Sequence, residues 1–247
     1  MRNMLALLRR ELNAYFASVL GYIVIMFFLV VMGVTFAVVV GWLATGPKQV
    51  TAMIILFKMF WLPSLFIVPA ITMRLLAEEK RAGTLEMLMT APVTDFQVVF
   101  AKYLGAVMLY ALMWGLTVFY VVILRHFAGA SSALDLGPIA SGYVGVLVIG
   151  QFLIALGLLA SSLTKNQVAA ALMSFASVFL LLIVTNWLSS LFQGGQLGRI
   201  VRAISAFEHM ENFSRGILDV RPVVYYLSAT AWALFTTTRI VESRKWR

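Results

Sequence analysis

The sequence predicts an all-α integral membrane protein. It has six transmembrane helices, an N-terminal interfacial helix, a short cytoplasmic helix between spans 2 and 3, and a short amphipathic outer segment between spans 5 and 6. Three observations predict this. The 247 residues are 62% hydrophobic and only 12% charged, against ~45–50% apolar and ~25% charged in soluble domains. Mean hydropathy is +0.95. Six apolar runs have the ~20 residues that cross a bilayer as a helix: 19–44, 50–75, 101–124, 139–163, 168–192 and 222–240. No repeat or soluble domain separates them, so 1–247 reads as one membrane domain. Its parts are an interfacial helix (1–18), spans 1 and 2 (19–75), a cytoplasmic loop (76–100), spans 3 to 5 (101–192), an outer loop (193–221), and span 6 with a cytoplasmic tail (222–247).

The first twenty residues, MRNMLALLRRELNAYFASVL, do not read as a convincing signal peptide, because Arg9, Arg10 and Glu11 interrupt any short apolar core. Leu5, Leu8, Leu12 and Tyr15 or Phe16 share one helical face, and Arg2, Arg9, Arg10 and Asn13 occupy the other. That pattern suits a helix lying in the membrane interface. With the N-terminus inside, twelve Lys and Arg fall in cytoplasmic segments and six in outer ones. This bias puts both termini in the cytoplasm.

Lys58 sits in the second run, where a lysine is costly unless it is paired or snorkels. It is a candidate for the pathway or a subunit interface. Pro63 and Pro69, in the same run, remove backbone donors and predict a bend or break. Gly142, Gly145, Gly150 and Gly157 line the fourth run and predict close helix packing. Gln151 and Asn186 predict helix–helix hydrogen bonds. In the outer loop, Leu197, Ile200, Val201 and Ile204 follow helical spacing, and Gly216 predicts a helix stop or a turn back toward the last span.

The cytoplasmic loop reads EEKRAGTLEMLMTAPVTDFQ (78–97). Thr84 can cap a helix, with Glu86 in its first turn. Leu85, Leu88 and Met89 share a face, and Ala91-Pro92 ends the helix. Thr94 with Gln97 matches a capping box opening the next helix. A short capped helix with an apolar face can enter a partner's groove, or it can rest on headgroups as a plain connector.

Several classes are excluded or weakened. Without cysteine there are no disulfides, thiolate nucleophiles or cysteine metal sites. The net charge of +9 is dispersed rather than gathered in one patch, so nucleic acid is not an expected partner. The spans hold no histidine and no acidic pair for an intramembrane enzyme. His209 with Glu208 and Glu211 is too little to expect a metal.

The segment EEKRAGTLEMLMTAPVTDFQVVFAKYLG resembles the cytoplasmic loop of type-2 ABC transporter permeases. Residues 207–246, FEHMENFSRGILDVRPVVYYLSATAWALFTTTRIVESRKW, resemble the outer loop and last span of the subgroup containing gliding-motility-associated permeases and the nitrous-oxide-reductase maturation permease. The resemblance implies a half-transporter. Two such subunits, identical or related, form the translocation unit, and each docks a separate ATPase through a cytoplasmic coupling helix. By residue match, Gly83, Thr84, Leu85, Glu86, Leu88 and Pro92 lie in or beside that helix, and Glu78, Glu79 and Arg81 lie at its entrance. Glu208, His209, Arg215, Gly216 and Asp219 are implied to form an outer gate or partner contact, with an extracytoplasmic accessory protein as a candidate. The chain carries no G-x-x-x-x-G-K-[ST] pattern. No cofactor is therefore expected on this chain, and ATP and Mg belong to the partner ATPase. The resemblance implies export and a bacterial inner-membrane location. The other function left open is a non-transporting scaffold that passes ATPase motion to an outer partner.

Overall fold

The computed structural model describes residues 2–45, 52–84, 94–127, 135–192 and 195–243, and all regular structure among them is helical. The helices are α1 (Arg2–Ala17), α2 (Val19–Thr45), α3 (Ala52–Lys58), α4 (Trp61–Thr72), α5 (Ala77–Ala82), α6 (Asp95–Leu116) and α7 (Val118–Phe127). They continue with α8 (Leu136–Leu163), α9 (Gln167–Phe179), a π-helical segment (Leu180–Val184), α10 (Thr185–Leu191), α11 (Gly195–Ile204), α12 (Ala206–Ser214) and α13 (Val220–Glu242). Side chains at the boundaries explain several starts. The Ser18 hydroxyl accepts from Leu20 N–H, Asp135 from Gly137 N–H, Asn166 from Val168 N–H and Asp219 from Arg221 N–H. Each satisfies a donor that the first turn leaves without an intrahelical partner. The capping box at α6 is present in full: Thr94 Oγ1 accepts from Gln97 N–H at 3.3 Å, and Gln97 Oε1 accepts from Thr94 N–H at 3.1 Å.

Among the described residues, five stretches are long and apolar enough to cross a membrane: Val19–Leu43, Trp61–Ala82, Asp95–His126, Leu136–Leu163 and Gln167–Leu191. The fourth is 67% buried over its most apolar window, against 22% for the first and fifth. So α8 is the central helix, and α2 and α9–α10 are peripheral. Its glycines make this possible. A Cβ at Gly142 would strike the Phe57 ring, one at Gly145 the Phe213 ring, one at Gly150 the Tyr110 ring, and one at Gly157 the Thr72 hydroxyl. The small residues expected to pack closely therefore let α3, α12, α6 and α4 approach one backbone. Gln151 accepts from the Tyr103 hydroxyl at 3.4 Å, a helix–helix bond as expected. Asn186 is exposed.

The helix α13 occupies the position of the expected sixth span and has 23 residues, about 35 Å at 1.5 Å per residue. It is absent from the five because its composition is more polar. Tyr226, Thr230 and Thr237 are buried on the face turned to the bundle, while Trp232 and Phe235 are exposed.

Other differences have local causes. The run 50–75 is not one helix. It breaks at Met59–Phe60 into α3 and α4, and its apolar candidate starts at Trp61 and reaches Ala82. Pro63 lies in the first turn of α4, where a missing N–H costs little. The Met59 carbonyl accepts from Leu62 N–H instead. Helix α4 continues through Pro69 to Thr72, so Pro69 does not break it. The helix of the third span opens at the Thr94 capping box, as expected, and is interrupted by a turn at Thr117. The outer loop holds two helices, α11 and α12, rather than one short segment. Helix α12 closes in a Schellman motif. Gly216, at φ 87°, brings Ile217 N–H to the Asn212 carbonyl and its own N–H to the Phe213 carbonyl. The apolar face expected for α1 is split: Tyr15 packs toward Gly105 of α6 and Leu8 is half-buried, while Leu5 is 65% and Phe16 42% exposed.

Candidate functional site

The most connected polar cluster lies where α5 meets α1, α6 and α8. Lys102, on α6, has a side chain only 4% exposed. Its ammonium donates to Glu79 Oε1 on α5 at 2.8 Å and to Glu11 Oε1 on α1 at 3.1 Å. Arg10 of α1 reaches the same Glu79 oxygen at 2.9 Å and Glu11 at 3.5 Å. Lys102 and the two carboxylates are largely shielded from water, in surroundings where opposite charges attract more strongly, and the half-exposed Arg10 completes the charge balance. Pairing is what makes their burial tolerable. Arg74, at the end of the second span, lies 3.7 Å from Glu78 one turn on, and donates to Ser18 at 3.4 Å. A cavity of about 340 Å³ opens among these groups, lined by Arg10, Glu11, Tyr15, Arg74, Glu79 and Lys102 among others.

The other side of α5 is fixed to α8. The residue before α5 is Leu76, which has no side chain able to cap it. Ser161 of α8 does this from outside. Its hydroxyl accepts from Leu76 N–H at 3.2 Å and Ala77 N–H at 3.0 Å, and donates to the Met73 carbonyl at 3.3 Å. Lys80 is buried, and its ammonium donates to the Ser162 carbonyl. Since Glu79 and Lys80 are neighbours on one short helix, α5 is gripped from two directions by three other helices. Helix α5 then ends at Gly83, whose φ of 71° is the left-handed turn that glycine adopts without a Cβ clash.

Of the docking residues expected from the sequence, Glu79 is in the cluster and Glu78 is beside it, paired with Arg74. Arg81, Gly83 and Thr84 are exposed beyond it. The Thr84 hydroxyl donates back to the Glu79 carbonyl at 3.5 Å. Leu85, Glu86, Leu88 and Pro92 lie outside the described residues. Sequence reasoning did not single out Glu11, Lys102 or Ser161 as site residues. The available signal was Glu11, which shares with Leu8 and Tyr15 the face that packs on α6. A lone charge there requires a partner.

At the opposite end of the bundle, Lys58 ends α3 and its ammonium donates to Glu211 Oε1 of α12 at 3.0 Å, with both side chains near 40% exposed. Arg215 pairs with the same carboxylate one turn along α12. The Lys58 hydrogen bond, reinforced by the charges of Lys58 and Arg215, holds the Glu211 carboxyl below its ordinary value against the opposing effect of burial. His209 is buried and its Nδ1 lies 2.9 Å from the Tyr226 hydroxyl. Burial lowers its pKa, and Asp219 opposes this. Glu208, His209 and Asp219 line a second cavity of about 440 Å³ with Arg202, Arg221 and Tyr225. Arg215 and Gly216 belong to the α12 terminus instead. Among the described residues no three of His, Asp and Glu converge as a metal site. So the structure brings Lys58 to α12 through Glu211, while Pro63 and Pro69 are buried in α4 and join neither cluster.

Residues 65–244 match the family model described as ABC-2 family transporter protein, which is well over half of the chain. No curated protein matches it.

Proposed function

The chain belongs to the ABC-2 family of transporter proteins, a family of membrane transport subunits that are not themselves catalytic, and on that premise we propose that it couples ATP hydrolysis by a separate ATPase to the export of a cargo. The observation that carries this reading is the double grip on α5. A loop that only connected two spans would need no buried ion cluster and no borrowed cap. A loop that must pass a push into the spans needs a stiff junction, because a soft one would absorb the movement. In this reading the ATPase docks on the segment 83–92, where Gly83, Thr84, Leu85, Glu86, Leu88 and Pro92 form or flank the coupling helix. ATP and Mg bind in the ATPase, whose closure moves α5 together with α1, α6 and α8. That movement biases two arrangements of the spans, as any such switch requires differential contacts in the two states.

The rest of the proposal follows from the same frame. The grip and both termini face the cytoplasm, as the twelve-to-six excess of Lys and Arg supports. Helix α13 is the sixth span. A second permease subunit, identical or related, completes the unit in a bacterial inner membrane. An extracytoplasmic accessory protein contacts the outer helices, where Leu197 and Ile200 of α11 are 65% and 57% exposed. That exposed face also favours the second reading, a scaffold that transmits ATPase motion without carrying a cargo.

Co-expression with the ATPase tests docking. The wild type is expected to purify as a membrane complex that hydrolyses ATP. Glu86→Arg and Leu88→Asp are expected to lose the ATPase while staying folded in the membrane. Undiminished ATPase binding by both variants would refute docking at these residues.

A further inference from the structure

A groove of about 500 Å³ runs between the start of α6 and the end of α13, lined by Thr94, Asp95, Phe96, Phe100, Ala231, Leu234, Phe235, Thr238, Arg239 and Glu242. Its volume falls in the ~300–1,000 Å³ of clefts that hold small ligands. Polarity is graded along it. Thr94, Asp95, Arg239 and Glu242 stand toward one end with Phe96 beside Asp95, and Phe100, Ala231, Leu234 and Phe235 lie along the rest, with Thr238 between. From Glu242 to Ala231 the α13 wall drops about 16 Å at 1.5 Å per residue, roughly half of a ~30 Å hydrocarbon core and so one leaflet deep. The walls are ordered: Phe96 and Phe100 stack at 5.4 Å, and the Arg239 guanidinium lies 5.0 Å over the Phe235 ring while bonding Glu242 at 2.8 Å.

We propose that this groove seats one phospholipid of the cytoplasmic leaflet, with a zwitterionic, amine-bearing headgroup. The depth of one leaflet and the change from charged to apolar along it match a lipid rather than a soluble ligand. The charges at the mouth select the headgroup. Arg239 has a planar fork with donors beyond the one used by Glu242, suited to a phosphate. Asp95 and Glu242 beside it suit an ammonium and disfavour a second anionic group. The apolar wall receives an acyl chain. The leaflet assignment rests on the orientation proposed above, but occupancy of the groove does not.

Native mass spectrometry of the full chain, released from nanodiscs containing equal phosphatidylethanolamine and phosphatidylglycerol, tests this. The expected result is one retained phosphatidylethanolamine per chain. Ala231→Trp fills the groove from a position whose side chain is exposed, and should abolish retention. Arg239→Gln should weaken retention about tenfold, the effect of losing one charge-assisted bond. Equal retention of phosphatidylglycerol would overturn the headgroup assignment. Unchanged retention in Ala231→Trp would overturn the site. Loss of a dimer mass in Ala231→Trp without any lipid adduct in the wild type would overturn it in favour of a second copy of the chain. ATPase co-purification in the same preparations is independent of these outcomes, so failure of the lipid site and failure of the coupling proposal are distinguishable.

Discussion

The two ends of the bundle are tied by different physics. At the α5 end, Lys102 is 4% exposed and shares two carboxylates with Arg10, while Ser161 and Ser162 hold the same short helix from the other side. At the far end, Lys58 and Glu211 are 38% and 39% exposed and join α3 to α12 through one carboxylate. A buried, multiply bonded cluster is costly to break at any single member. A half-exposed pair is worth ~0–1 kcal/mol and is screened by salt. On the proposed reading the gripped end moves as a unit, and at the far end the Lys58–Glu211 tie can break at small cost while α12 keeps its buried packing on α8.

Lys102→Met should give the largest effect, since it leaves Glu11 and Glu79 with only the half-exposed Arg10. A destabilisation of about 3 kcal/mol is expected, read as a fall in thermal unfolding temperature in detergent. A change below the size of a surface substitution would break the contrast. Ser161→Ala comes next. It leaves two amide donors of α5 without their acceptor, and should cost about 1 kcal/mol and speed hydrogen exchange at 76 and 77. Lys58→Met should cost about 0.5 kcal/mol, shrinking further in high salt, whereas the Lys102→Met effect should persist there.

The smallest effect concerns pH and sharpens the comparison. The stabilising contribution of Glu211 is present above its ordinary carboxyl value of 4.5 and is lost as pH falls through its lowered value. That of neutral His209 is present above its ordinary 6.5 and is lost as pH falls through its lowered value. Both signs agree, so acidification from pH 7 should loosen the outer helices. Hydrogen exchange of α12 followed from pH 7 to pH 3, corrected for intrinsic rates, measures this, because the carboxylate part is still intact at pH 5 and is lost only below it. Glu211→Gln should remove the carboxylate part of the response and keep the histidine part.

Much of the architecture was legible because bilayer thickness and helix geometry write long apolar runs into the sequence. The fourth run appeared within three residues as α8, and the Thr94–Gln97 box marked the start of α6. The break at Met59–Phe60 was not legible, since LFKMFWLP is apolar on both sides and Pro63 points to a break without locating it. Helix α13 shows the converse: its inward Tyr226, Thr230 and Thr237 dilute the apolar signal that its length supports. The clamp was legible only in part. Glu79 was singled out from the loop, but Glu11 and Lys102 are separated from it by 68 and 23 positions, and single-sequence spacing carries no pairing between them. Ser161 carried no signal of its role, because borrowed caps leave no local pattern.

The central claim is that movement enters through the gripped helix α5. Hydrogen exchange of α11 and α12 in the complex with its ATPase, with and without ATP, tests it most directly in wild type and Lys102→Met. The account predicts that ATP changes exchange at these outer helices in the wild type, and that Lys102→Met keeps its ATPase but loses the response. An ATP response in Lys102→Met equal to the wild type would contradict it.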